Sequence, residues 1–172
     1  MRAVFFLNAC AVAALAQDPA ASAQAACGPR GVRFDVRNEG PPKAVMQPEV
    51  EKALVHVIQD DGQVGCLGWG CTTTKVALDG SWVGANRANS HFSFAANPGE
   101  RHLCVVWQSR FTVEPRMVGL IHFVAEAGKV YYFRTRVISG ASHTYLDLDA
   151  IDSDEGRLLV AAYPSSISRP KK

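Results

Sequence analysis

Cys66 and Cys71 enclose Leu67-Gly68-Trp69-Gly70. Two thiols this close can run a redox couple, grip a metal or close a loop. A redox pair needs a thiolate of lowered pKa, often in Cys-x-x-Cys at a helix start. Here four residues intervene and the following segment reads as a strand. A zinc site would recruit Cys66, Cys71, Cys104 and one histidine. The Cys-x4-Cys spacing lies at the outer edge of structural zinc loops, and no partner knuckle occurs. Gly65, Gly68 and Gly70 can instead bend the backbone until the cysteine Cα atoms come within the roughly 7 Å that a disulfide requires. A staple is therefore the preferred reading, with no metal and no cofactor. The four cysteines beyond the N-terminal segment allow three pairings. Cys66–Cys71 is the first choice and leaves Cys27–Cys104 by elimination. A bridge from Cys27 to the loop stays open.

The histidines are His56, His91, His102, His122 and His143. His91 and His102 flank Asn97-Pro98-Gly99-Glu100, and are expected to lie across that hairpin on a solvated or half-buried face. His56 and His122 sit in apolar runs and are expected to be hydrogen-bonded core residues. None has the Ser, Cys and Asp company that nucleophilic catalysis needs, and neither Gly-x-Ser-x-Gly nor His-Glu-x-x-His occurs. The chain is read as no enzyme. The stretch 147–156 (DLDAIDSDEG) resembles a calcium loop at first sight. An EF-hand starting at Asp147 would need an oxygen ligand at its fifth position and glycine at its sixth. Ile151 and Asp152 stand there. Tyr132, Arg134 and Arg136 alternate along one strand and form a row able to bind a carboxylate, phosphate or sugar. The aspartates of LDLD offer the row a cross-strand partner instead. Trp69 and Trp82 complete the candidate binding surface.

These residues need a scaffold. With 48% hydrophobic and 20% charged residues in 172, the composition is that of one globular domain. A net charge of +2 is too small to argue for nucleic acid as a partner. Met1-Arg2 followed by the apolar run Ala3–Ala16 has the form of a secretory signal peptide. Gln17-Asp18-Pro19 ends it short of the roughly 20 apolar residues of a membrane span. Residues 1–16 are read as the leader, with cleavage as late as 26 also compatible. The rival reading is a lipoprotein. However, the residues before Cys10 and Cys27 (LNAC and QAAC) fit a lipid-attachment motif poorly. Either way the thiols meet an oxidising compartment, periplasmic or extracellular.

Residues 17–52 read as an irregular lead-in, with VRFDV as a short strand inside it. From 53 to 163 short β-branched and aromatic runs alternate with Gly, Asn, Asp and Pro. ALVHVIQ (53–59) is apolar on both faces, as a central strand would be, and VGLIHFVAE repeats that pattern. TTKVALD (73–79) and TYLDLDAI alternate cleanly, and Asp79-Gly80 supplies a tight hairpin turn. Residues 153–163 read as a helical turn capped by Ser153 and then a closing strand. Residues 164–172 read as a frayed basic tail. The expected fold is all-β: an antiparallel two-sheet sandwich, immunoglobulin- or transthyretin-like, with seven to nine short strands and at most one short helix.

The segments KALVHVIQ, VALDGSWVGA, HFSFAANPGERHLCV, AEAGKVYYFR and DSDEGRLL follow in that order from Lys52 to Leu159. This progression resembles a bacterial exported family, the domain of unknown function numbered 2846. The resemblance implies an antiparallel β-sandwich, exported and often lipid-anchored, and brings no activity, cofactor or catalytic residues. The cysteine loop departs from that pattern, as does the missing lipobox. The leading expectation is an exported non-catalytic binding or envelope-associated module, its partner an envelope protein or a small anionic ligand. The alternatives are a metal or redox protein built on the Cys66/Cys71 loop and histidines, and a structural accessory domain pairing through a sheet edge.

Overall fold

The computed structural model describes residues 26–40, 46–62, 66–67, 70–108, 117–139 and 143–171, with the backbone alone at 66, 67, 70 and 139. The expected leader (1–16), with the candidate lipid site Cys10, and Trp69 lie outside the described residues, whereas Cys27, the other candidate, is bonded to Cys104. In chain order the strands are β1 (Phe34–Asn38), β2 (Ala53–Gln59), β3 (Cys66–Leu67), β4 (Gly70–Cys71), β5 (Thr73–Leu78), β6 (Ser81–Arg87), β7 (Ser90–Ala96), β8 (Gly99–Trp107), β9 (Val118–Ala125), β10 (Val130–Ser139) and β11 (Thr144–Ile151). Helix α1 (Ser153–Ala162) and strand β12 (Ser166–Pro170) follow.

Two four-stranded sheets pack as a sandwich, ordered β11-β10-β2-β7 and β6-β5-β8-β9. Strand alternation explains the core between them. Val55 and Val57 of β2 and Phe133 of β10 meet Val76 of β5 and Leu103 and Val105 of β8. The first sheet is not wholly antiparallel, because β2 and β10 run parallel. Parallel neighbours need a long crossover, and here the chain builds the whole second sheet between them. The turns follow their residues. Asp79 and Gly80 both adopt positive φ, as a two-residue hairpin turn of this sequence demands.

The C-terminal segment departs from expectation in two ways. Residues 153–162 form a ten-residue helix, not a turn and a strand. Its N-cap is Asp152, whose carboxylate accepts the N–H groups of Asp154 and Glu155, so Ser153 is not the cap. The supposed tail is not frayed. Strand β12 pairs antiparallel along all of β1, and this ribbon lies beside β6 and β7. Ser166 Oγ donates to Asn38, and Ser168 Oγ accepts the N–H of Ala85. The ribbon thus covers the side of the sandwich where β6 and β7 would otherwise be edges. On the opposite side Gly119 lets Leu146 and Leu148 close in, because a Cβ there would stand only 2.7 Å from Leu148.

Candidate functional site

The Cys66–Cys71 segment is a hairpin. Cys66 and Cys71 are Cα partners, as are Leu67 and Gly70. Cys71 is disulfide-bonded. The hairpin rises from a buried polar base. Asp61, at the end of β2, accepts hydrogen bonds from the N–H of Val137 (2.8 Å), from Gln59 Nε2 and from Thr72 Oγ1. Gln59 also donates to Thr72 Oγ1 (2.7 Å) and accepts from Thr74 Oγ1 (2.8 Å). Asn89 Oδ1 receives the Asp61 N–H, and Asn89 Nδ2 donates to the Gly62 carbonyl. Gln59, Thr74 and Asn86 have no exposed surface. A buried carboxylate is costly unless its oxygens are hydrogen-bonded. Here they are, and the donors come from both sides of the hairpin base. Next to it Tyr163 donates to Asp60 (2.6 Å), and burial first, then that bond, push its phenol up to about 12. The sequence signal was the polar run Gln59-Asp60-Asp61 closing an apolar strand. It reads equally well as a solvated loop until the strand's neighbours are known.

Cys27 is bonded to Cys104, with Cα atoms 5.2 Å apart. The bridge pins the lead-in across the outer face of the second sheet, where Ala26, Ala77, Cys104 and Val106 form a small cluster with Trp82. Trp82 is part of this cover and not a free binding surface. Its Nε1 donates to the Pro29 carbonyl, and Lys75 Nζ sits 4.2 Å from its ring centre. Lys75 also donates to the Val32 carbonyl, and burial, with Arg33 nearby, lowers its pKa.

The Tyr132, Arg134 and Arg136 row exists, but it is occupied. Tyr132 is buried under α1 and stacks on His56 with ring centres 4.9 Å apart. Arg134 is paired with Glu155 of the helix. Arg136 reaches Asp147 (2.7 Å) and Asp149 (3.0 Å) on β11. Two cations therefore face three carboxylates, a balance that does not favour a small anion. The cross-strand aspartates were legible in the sequence. The helix that takes Tyr132 and Arg134 was not.

The histidines regroup. His91 and His102 do not lie across the Asn97–Glu100 turn. His91 pairs with Ile58 of β2 and its ring lies 6.5 Å from His56. Both are buried. His56 Nδ1 lies 2.6 Å from Ser93 Oγ, as expected of a hydrogen-bonded core histidine. Burial, then the neighbouring His91, lower its pKa to about 4. Burial also lowers that of His91. His122 is not a core residue. It is exposed on β9, directly opposite exposed His102 on β8, with ring centres 5.0 Å apart. His143 is exposed before β11. Among the described residues no three His, Cys, Asp or Glu side chains converge as a metal site, and no helix is long and apolar enough to cross a membrane.

Comparison with family models, with curated proteins and with solved structures returns no match to the chain.

Proposed function

We propose that this chain is an exported, non-catalytic β-sandwich that acts as a binding or envelope-associated module and presents the Cys66–Cys71 hairpin to an envelope protein. The observation that carries the reading is the use made of Asp61. The carboxylate is buried with Gln59 and Thr74, and its hydrogen bonds tie both ends of the hairpin to β10. A functional loop on a rigid scaffold needs such a fixed base. Export is supported by the Met1–Ala16 segment and by the Cys27–Cys104 bridge, since disulfides persist in oxidising compartments. The order of motifs from Lys52 to Leu159, which resembles that of the exported domain-of-unknown-function family, is the sequence ground for the same class.

Two measurements test this. Produced with its own leader, the protein is expected in the exported fraction, beginning after Ala16 or as late as after Ala26. It should take up no alkylating agent without reductant. A cytoplasmic, reduced product overturns export, and an added diacylglycerol makes it a lipoprotein. A photo-crosslinker at Leu67 is expected to give a discrete envelope-protein adduct that the same probe at Val83 does not. Adducts at Val83 alone would remove the hairpin from the binding role.

A further inference from the structure

The exposed outer face of the β8–β9 hairpin carries an unusual pair. Its outward row on β9 is Val118, Leu120, His122 and Val124, opposite Val106, Cys104, His102 and Glu100 on β8. Cys104 is taken by its bridge and Val106 by the lead-in cluster. The two imidazoles stand side by side in the exposed part of that row, beside exposed Leu120 and Val124. Directly opposed residues on antiparallel strands are held at fixed separation by the ladder between them. This hairpin can therefore present both rings to one ligand without reordering the backbone.

The ring separation is one that a shared metal would allow. With a metal–nitrogen bond of about 2.0–2.1 Å and the ring centre ~1.2 Å behind the nitrogen, two imidazoles on one tetrahedral metal have centres about 5.2 Å apart, and on a square-planar metal about 4.5 Å. The His102 and His122 centres are 5.0 Å apart, between these values. The buried histidines fail the same test. His56 and His91 are 6.5 Å apart, and one His56 nitrogen is engaged by Ser93.

We propose that His102 and His122 form a two-point site for a borderline divalent transition metal, Zn2+, Cu2+ or Ni2+. The remaining coordination positions are open to water or to an outside ligand. Imidazole nitrogen selects these ions over Mg2+ and Ca2+, which prefer oxygen. No third His, Cys, Asp or Glu converges among the described residues, so the site is an open one and not a closed structural zinc site. It stands independently of the hairpin reading, because it uses neither Cys66 nor Cys71.

The test titrates ZnCl2 and CuCl2 into the metal-stripped, disulfide-bonded mature protein, with binding followed by calorimetry. One dication per chain is expected. His102→Ala and His122→Ala should each weaken it by about 100-fold, the gain that a second linked contact supplies. His143→Ala and His56→Gln should leave it unchanged. The Cu2+ electron paramagnetic resonance signal should report two imidazole nitrogens in the parent and one in either variant. Thermal melts without metal check that both variants fold, and His→Gln versions at the same positions replace any that do not. Equal affinity in parent and both variants would overturn the site and leave the pair as a cross-strand ring contact. A loss with His143→Ala equal to that with His122→Ala would move the metal elsewhere and overturn it equally.

Discussion

The two outer faces of the sandwich are covered by different means. Over the first sheet, α1 and Tyr163 lie on Ile58, Tyr132 and Val130. The fit is close because Gly156 rests on the Tyr132 ring, where a Cβ would be 2.2 Å from Cγ. His56 and His91 end up beneath this cover, desolvated and held neutral. Over the second sheet the segment that precedes β1 is fastened by one covalent bond, Cys27–Cys104. Its cover reaches Cys104, Val106 and Val118 and leaves His102 and His122, further along β8 and β9, exposed. The same residue type thus becomes a buried neutral group on one face and an available ligand on the other. What decides is the element lying above, not the strand that carries it.

Breaking the covalent cover should have the largest effect. The Cys27–Cys104 bridge spans a separation of 77 residues. Removing it as Cys27→Ala with Cys104→Ala should cost about 4 kcal/mol, from the loop entropy released to the unfolded chain. Urea unfolding of the double variant measures the loss, and an effect under 1 kcal/mol would mean that packing alone holds the lead-in.

Acid should test the helical cover next. His56 has a folded-state pKa near 4 against 6.5 in the unfolded chain. Between those values the unfolded state binds a proton that the folded state refuses. Stability is therefore full above about pH 6.5 and falls as pH drops toward 4, by up to about 3 kcal/mol. His91, shifted the same way by burial, adds to the same slope. Urea midpoints measured from pH 7.5 to 4.5 should show the decline, and His56→Gln should make it shallower, leaving the part due to His91. A parent curve as flat as the variant's would contradict the burial argument.

Gly156→Ala sharpens the contrast from the packing side. Alanine favours a helix over glycine by about 1 kcal/mol. The added methyl would meet Cγ and Cβ of Tyr132, which cannot swing away as a flexible tip would. A net loss of about 2 kcal/mol is expected, as for overpacking elsewhere. A stabilised variant would show that the helix can lift from Tyr132 without cost. The smallest effect belongs to the open face. Without metal, His122→Ala should change stability by no more than about 0.5 kcal/mol, as for an exposed position. A larger loss in a metal-free melt would mean that the pair is structural.

Much of this architecture was legible because strand periodicity and turn chemistry are local. The residues of β2, β7 and β11 follow from alternation and punctuation, and Asp79-Gly80 announces its hairpin through the positive φ it takes. The Cys27–Cys104 bridge was reachable by elimination, because cysteines are few. Helix α1 was missed because Gly156 and the short apolar run Leu158-Leu159-Val160 obscure its pattern, and Leu158 is left exposed. Asp152 and Ser153 are both residues that cap helices, and only the carboxylate of Asp152 reaches the N–H groups of Asp154 and Glu155.

The β-rich character of the chain, the side-chain alternation in its strands and the cysteines available to staple it can all be read from residue order. These depend on neighbours along the chain. Contacts between distant segments pair β12 with β1, set α1 against Tyr132 and Arg134, and bury Asp61 at the base of the cysteine hairpin. They also decide between two strands of the same pattern. ALVHVIQ and VGLIHFVA are both apolar on two faces, yet β2 is central and covered while β9 is an edge with Leu120, His122 and Val124 exposed. Alternation fixes which side chains share a face. What packs against that face depends on strand order and register, which join residues far apart in the chain.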